Sequence, residues 1–225
     1  ASSGSGFRTN ILKKTGENMK DTHLYRFART YLPWFFRLLM PIRVQNAGYM
    51  PATGAVVLCC NHMSNTDPVR IAYSQRRQIF FMAKEELFKN GFVAWVLRCL
   101  GAFPVHRGRG DMGAINLSRR HLKDGDVLGV FIEGTRSKDG NLLRPKPGAA
   151  MLAASCHAPI LPCCITAKGG GPSRLFRRVV ITYGRLIPPE ALGIEKGTPS
   201  ELRAASLFVM DRIRELRETG LKEFR

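Results

Sequence analysis

The sequence predicts an α/β fold, with a largely parallel central sheet flanked by helices and preceded by an aromatic, basic helical segment. Three observations carry this reading. Short apolar runs of strand length alternate with segments whose apolar residues recur at helical spacing, which is the pattern of strand–helix–strand units. Three of the runs end abruptly in polar residues, around His62, Arg107 and Glu133. Gly, Pro and Asp punctuate the joints between segments.

In chain order, residues 1–20 begin Ala-Ser-Ser-Gly-Ser-Gly and read as a linker followed by a flexible polar stretch. Residues 21–47 interleave Tyr25, Phe27, Tyr31, Trp34, Phe35 and Phe36 with Arg26, Arg29 and Arg37, and Pro33 interrupts the run. Two short helical pieces of this composition suit a membrane interface. Packing of the same residues on the domain's own core is the competing reading. The segment is too short, too charged and too broken to span a bilayer, and no other apolar run is long enough. No secretion signal opens the sequence, so contact with a membrane is expected from one side.

Residues 48–225 are expected to form one domain. Gly48 and residues 51–54 are turns leading to a buried strand over 54–60, rich in Val and Cys. Asp67-Pro68 reads as an N-cap and a first-turn proline, opening a helix to about residue 75. Strands follow at 79–83 and 102–107, separated by an apolar helix over 92–100 that Gly101 ends. A helix over 112–123 and a buried strand over 127–132 come next. Residues 138–147 are a basic loop, 148–157 a helix of small residues and 159–166 a further strand. Gly169-Gly170-Gly171-Pro172 is a flexible loop before a last strand over 177–183. Leu202, Leu207, Met210 and Ile213 place a helix over 200–216.

The 35 Lys and Arg against 17 Asp and Glu give a formal charge of +18, which favours an anionic partner. The six cysteines lie mostly in apolar runs without metal-ligand spacing, and they read as buried free thiols in a reducing compartment. The adjacent pairs Cys59-Cys60 and Cys163-Cys164 point to opposite faces of their strands.

The sharpest chemical signal is His62 followed five residues later by Asp67. On a continuous helix the two would lie about 140° apart. They meet only if His62 sits on the turn leaving a strand and Asp67 opens the next helix. A histidine so held is a candidate general base, with Asp67 either orienting its ring or serving as a plain helix cap. In open α/β sheets ligands bind at the carboxyl ends of strands, so polar groups converging there suggest a site. His23, His106, His121 and His157 have no partner at a telling spacing.

Four blocks occur in order: Asn-His-Met-Ser-Asn-Thr-Asp over 61–67, Gly-Ala-Phe-Pro-Val-His-Arg-Gly over 101–108, Phe-Ile-Glu-Gly-Thr-Arg-Ser over 131–137 and Ala-Pro-Ile-Leu-Pro over 158–162. They resemble the four sequence blocks of the glycerolipid acyltransferases, most closely the lysophosphatidic acid acyltransferases, and the matching region runs from about residue 49 to 183. The resemblance implies an acyltransferase domain with His62 as the base and Asp67 as its partner. It implies binding of substrate phosphate by Arg107, and of glycerol phosphate by Glu133, Gly134, Thr135 and Arg136. Glu133 could instead pair with Arg136 and only position it. Lys84 and Lys146 are further anion candidates, and Pro162 is expected to shape the acyl or acceptor pocket.

The implied reaction carries a fatty acyl group from acyl-CoA or acyl-carrier protein to the sn-2 hydroxyl of lysophosphatidic acid, giving phosphatidic acid, with no cofactor or metal. Glycerol-3-phosphate or another lysophospholipid is the alternative acceptor. The aromatic-basic segment would then dock the protein peripherally on the cytoplasmic face of the membrane, where anionic lipid attracts its charge. The charge alone would also fit a non-catalytic module on nucleic acid or membrane. However, the basic residues are spread along the chain without a nucleic-acid motif, and nucleic acid is not an expected partner.

Overall fold

The structure, a computed structural model, describes residues 31, 35–105 and 112–225. Its strands are β1 (Ile42–Gln45), β2 (Val56–Cys60), β3 (Ile79–Lys84), β4 (Ala102–Val105), β5 (Val127–Phe131), β6 (Ile160–Ala167) and β7 (Val179–Tyr183). Its longer helices from residue 67 onward are α1 (Asp67–Ser74), α2 (Gly91–Cys99), α3 (Met112–Lys123), α4 (Gly148–Cys156) and α5 (Pro199–Lys222). The strands form one sheet in the order β1-β7-β6-β2-β5-β3-β4.

Strands β6, β2, β5, β3 and β4 run parallel. The return to β7 is antiparallel because residues 168–178 hold only one short 3-10 turn among the described elements, not the helix a parallel crossover needs. Strand β1 then pairs parallel to β7. The chain therefore enters β1 and β7 from the same edge at which the five parallel strands end. That edge carries His62, Glu133 and Lys84, and also the segment before Ile42 and the loop before Val179.

Period-two alternation divides the core into two layers. Val57, Cys59, Leu128, Ile160 and Cys164 face α3, α4 and α5, while Val56, Leu58, Cys60, Phe81, Leu161 and Cys163 face the α1 side. The adjacent cysteines thus divide between faces as expected, and all six are free, although Cys99 and Cys156 are only half-buried.

Several expectations are corrected. Residues 43–45, placed by the sequence at the end of the N-terminal segment, are part of β1, whose place at the sheet edge depends on a partner more than 130 residues away. The last helix runs to Lys222, six residues past its predicted end, and begins in a capping box of Thr198 and Glu201. Thr66, not Asp67, is the N-cap of α1, because the Asp67 carboxylate turns back to the preceding loop. Of the predicted N-terminal helical pieces, Tyr31 and residues 35–39 are described and helical; the rest of that segment, and His106 and Arg107, lie outside the described residues.

Candidate active site

The site is built where β2 runs out. Asn61, fully buried, donates to the Ile165 carbonyl (3.0 Å) and accepts from the Ile165 N–H (2.8 Å). Its side chain thereby stands in for a backbone partner and extends the β2–β6 pairing by one step. His62 follows immediately, released from the sheet but held by its carbonyl, which accepts from the Ser137 N–H at 2.8 Å.

The Asp67 carboxylate is wholly buried and fully bonded. Its Oδ2 accepts the N–H groups of Met63 and Ser64, each at 2.6 Å, and lies 3.0 Å from His62 Nδ1. Its Oδ1 accepts the Ser173 hydroxyl at 2.8 Å. Bonds to a charged acceptor contribute about 1.5–3 kcal/mol each, which offsets the cost of burying the charge. With Nδ1 bound to carboxylate, the ring nitrogen left to accept a proton is Nε2. The His62 side chain is 15% exposed, so that nitrogen has access to a ligand while the dyad itself is sheltered.

An aromatic stack fixes the plane of the ring. His62 lies on Phe131 at 3.9 Å between centroids, and Phe131 on Phe81 at 5.7 Å. Gly129 makes this possible: a Cβ there would sit 2.2 Å from the Phe81 ring. Phe81 and Gly129 are register partners, so the stack is a product of sheet pairing.

The third block wraps the same edge. Glu133 is 1% exposed, and neither carboxylate oxygen has a hydrogen-bond partner of good geometry among the described residues. Burial pushes its carboxyl up to about 7, with backbone N–H groups of Leu143 and His62 pulling weakly the other way and the Asp67 charge adding to the rise. The alternative pairing of Glu133 with Arg136 is not formed: among the described residues Arg136 makes no ion pair and stands exposed, as does Thr135. Gly134 adopts φ +70°, which favours glycine, and a Cβ there would come within 3.1 Å of Lys146 Cγ. The Lys146 N–H donates to the Ile132 carbonyl at 2.7 Å, which brings that exposed lysine beside the block.

The structure thus brings together His62, Asp67, Glu133, Gly134, Thr135, Arg136 and Lys146. Lys84, exposed at the end of β3, is on the same edge but is separated from β2 by β5. Pro162 is buried inside β6 opposite Cys59, within the sheet and not beyond its end. Arg107 lies outside the described residues, although β4, which leads to it, ends at this edge.

Three participants carry no signal in the sequence: Ser173, Phe131 as the stacking partner and Asn61 as the strand clamp. Ser173 lies 106 residues from Asp67, and only the fold brings them together. Two histidines expected to lack partners have them. His121 meets Asp126 at 2.9 Å, and His157 meets Glu190 at 3.0 Å on the surface. The His121–Asp126 spacing of five was itself legible. Among the described residues no three His, Cys, Asp or Glu side chains gather as a metal site.

Known proteins resemble this chain in sequence and in fold. The acyltransferase family model matches residues 41–166. The chain is 30% identical over 156 residues to the 1-acyl-sn-glycerol-3-phosphate acyltransferase of Bacillus subtilis, covering 69% of this chain and 77% of that protein. A Streptococcus pneumoniae protein of the same name is 32% identical over 148 residues, 65% of this chain but 50% of that longer protein. The fold matches the crystal structure of a Thermotoga maritima 1-acyl-sn-glycerophosphate (LPA) acyltransferase with a TM-score of 0.67 at 24% identity, covering 93% of this chain and 88% of the other. The matched segment contains the His62–Asp67 dyad and the Glu133–Arg136 block, and the chain belongs to the acyltransferase family.

Proposed function

We propose that this enzyme transfers a fatty acyl group from a thioester, acyl-CoA or acyl-carrier protein, to the sn-2 hydroxyl of lysophosphatidic acid, forming phosphatidic acid. The observation that carries the proposal is the dyad: a largely buried but still accessible imidazole whose Nδ1 is bound by a buried, four-bonded carboxylate. His62 Nε2 takes the proton of the acceptor hydroxyl as its oxygen attacks the thioester carbonyl. Asp67 stabilises the imidazolium that forms, in the way a triad carboxylate does, with the substrate supplying the nucleophilic hydroxyl. The tetrahedral intermediate collapses, the C–S bond breaks, and the imidazolium proton passes to the thiolate.

The acceptor's phosphate would be held by Arg136, Thr135 and the exposed Gly134 turn, with Lys146 beside them; Arg107, outside the described residues, is a further ligand by its sequence block. An arginine fork suits phosphate oxygens in a way that a point charge does not. Glu133 is too deeply buried to share that role in the described geometry, and it supports the turn from beneath. Lys84 is an outlying cation for the same ligand, and Pro162 braces the acyl side through the sheet.

Docking of the N-terminal segment on an anionic membrane is part of the same proposal. Tyr31, Phe35 and Leu38 recur at helical spacing and are all exposed, so this face is not packed on the domain's core. No described helix is long and apolar enough to cross a membrane.

Purified enzyme assayed with lysophosphatidic acid, glycerol-3-phosphate, another lysophospholipid and a phosphate-free monoacylglycerol, each with both donors, tests the reading. Product is expected with lysophosphatidic acid and lost when the acceptor lacks phosphate. Equal turnover on an acceptor without phosphate would sink the assignment.

A further inference from the structure

We infer that residues 174–178 form a second lipid-seating element, a rigid apolar tip flanked by arginines that enters the headgroup layer of an anionic bilayer and sets the dyad against the lipid surface. The inference rests on the membrane reading above and deepens it.

Leu175 and Phe176 are 54% and 69% exposed, although they belong to a loop tied down from beneath. Phe176 has φ +58°, a backbone state that residues with a side chain seldom adopt. Its ring stands outward while its N–H donates to the Leu39 carbonyl at 2.8 Å. The strut under the loop is Arg70, itself wholly buried. Its guanidinium donates to the carbonyls of Pro41, Arg174 and Arg177 at 3.3, 2.8 and 3.2 Å. A buried arginine bonded to three carbonyls and no carboxylate orders both chain segments that enter the sheet from the catalytic edge.

Three further facts point to a bilayer as the occupant. The tip is continuous with the exposed face of the N-terminal helix, since the Phe176–Leu39 bond joins the two. The side chains of Arg174 and Arg177 have no carboxylate partner among the described residues, so an apolar point is flanked by free cations. Polybasic segments of this kind are drawn to anionic lipid. The loop also reaches the reaction centre: Ser173, one residue before Arg174, donates to Asp67 Oδ1. A tip seated in the headgroups would hold the dyad at the depth where an acceptor with its acyl chain in the bilayer presents its hydroxyl.

The test is co-sedimentation of the full chain with vesicles of mixed phosphatidylglycerol and phosphatidylcholine. Leu175→Ser with Phe176→Gly removes the tip, and glycine makes the left-handed backbone easier, so a loss is not ascribable to misfolding. Affinity is expected to fall about tenfold or more, with the melting temperature unchanged or raised. Arg174→Gln with Arg177→Gln should weaken binding to the mixed vesicles but not to phosphatidylcholine alone. A parallel Phe35→Ser, Leu38→Ser variant separates the claims. If it loses binding while both loop variants keep parental affinity, the loop inference is overturned and the membrane reading stands. If the parent itself does not bind, both fall.

Discussion

Among the described residues are two hydrogen-bonded histidine–aspartate pairs with the same spacing, His62–Asp67 and His121–Asp126, and they are closely alike as chemistry. The Nδ1–Oδ2 distances are 3.0 and 2.9 Å. Each ring stacks on a phenylalanine, Phe131 at 3.9 Å and Phe80 at 4.1 Å. The side chains of His62 and His121 are 15% and 19% exposed. The difference is in the carboxylates and in the address. Asp67 is fully buried with four bonds, whereas the Asp126 side chain is 35% exposed. His62 leaves the carboxyl end of β2, beside the Glu133 block, while His121 lies in the last turn of α3 and Asp126 leads into the amino end of β5. A second ring, Phe103 at 5.3 Å, packs His121 further into its helix–sheet joint. The spacing is common to both pairs; the end of the sheet on which His62 falls is what supports the proposed reaction centre there.

Removing each histidine gives the largest contrast. His62→Ala should lower kcat by about 10³-fold, within the range expected for a general base. His121→Ala should leave turnover within about threefold while costing about 1–2 kcal/mol of stability, since it empties a stacked, partly buried site. Steady-state kinetics and denaturant melts on both variants decide this, and equal kinetic losses would erase the distinction.

The carboxylates come next. Asp67→Asn leaves the Met63 and Ser64 N–H groups facing a neutral amide, and a turnover loss of about 10²-fold is expected together with about 2–3 kcal/mol of stability. Asp126→Asn should cost under about 1 kcal/mol, as for other solvent-screened pairs. A double-mutant cycle at each pair measures the difference directly.

Ser173→Ala removes one bond from Asp67 and nothing from the substrate, so kcat should fall up to about tenfold with KM unchanged. A rise in KM with unchanged kcat would show that Ser173 acts elsewhere.

The smallest effect concerns Glu133, a second buried carboxyl near the dyad, whose oxygens lack a hydrogen-bond partner of good geometry among the described residues. Its folded pKa of about 7 exceeds the ordinary 4.5, so the folded protein retains a proton that the unfolded chain releases. The stabilising contribution is complete below pH 4.5 and is lost as the pH rises through 7. Glu133→Gln should then match the parent's melting temperature at pH 5 and exceed it at pH 8; a difference independent of pH would contradict the assignment.

Local sequence determined a good deal of this. The runs at 54–60, 79–83, 127–132 and 159–166 are strands because they are apolar, β-branched and of strand length, and Met112–Lys123 is a helix at its predicted bounds. The His62–Asp67 contact was legible because turn chemistry and a five-residue spacing are both local. Tertiary structure decided what depends on distant partners. Edge strand β1 is paired only once β7 arrives, the antiparallel return of β7 follows from a connection with no crossover helix, and Gly129 matters only because Phe81 lies across it. It also decided that Asp67 turns away from a cap to collect Ser173, that Glu133 is too buried to pair with Arg136, and that His121–Asp126, identical in spacing, sits at the wrong end of the sheet. Spacing along the chain sets which side chains can meet, whereas burial and address are properties of the packed sheet, and those two properties separate the proposed dyad from the His121–Asp126 pair of the same spacing.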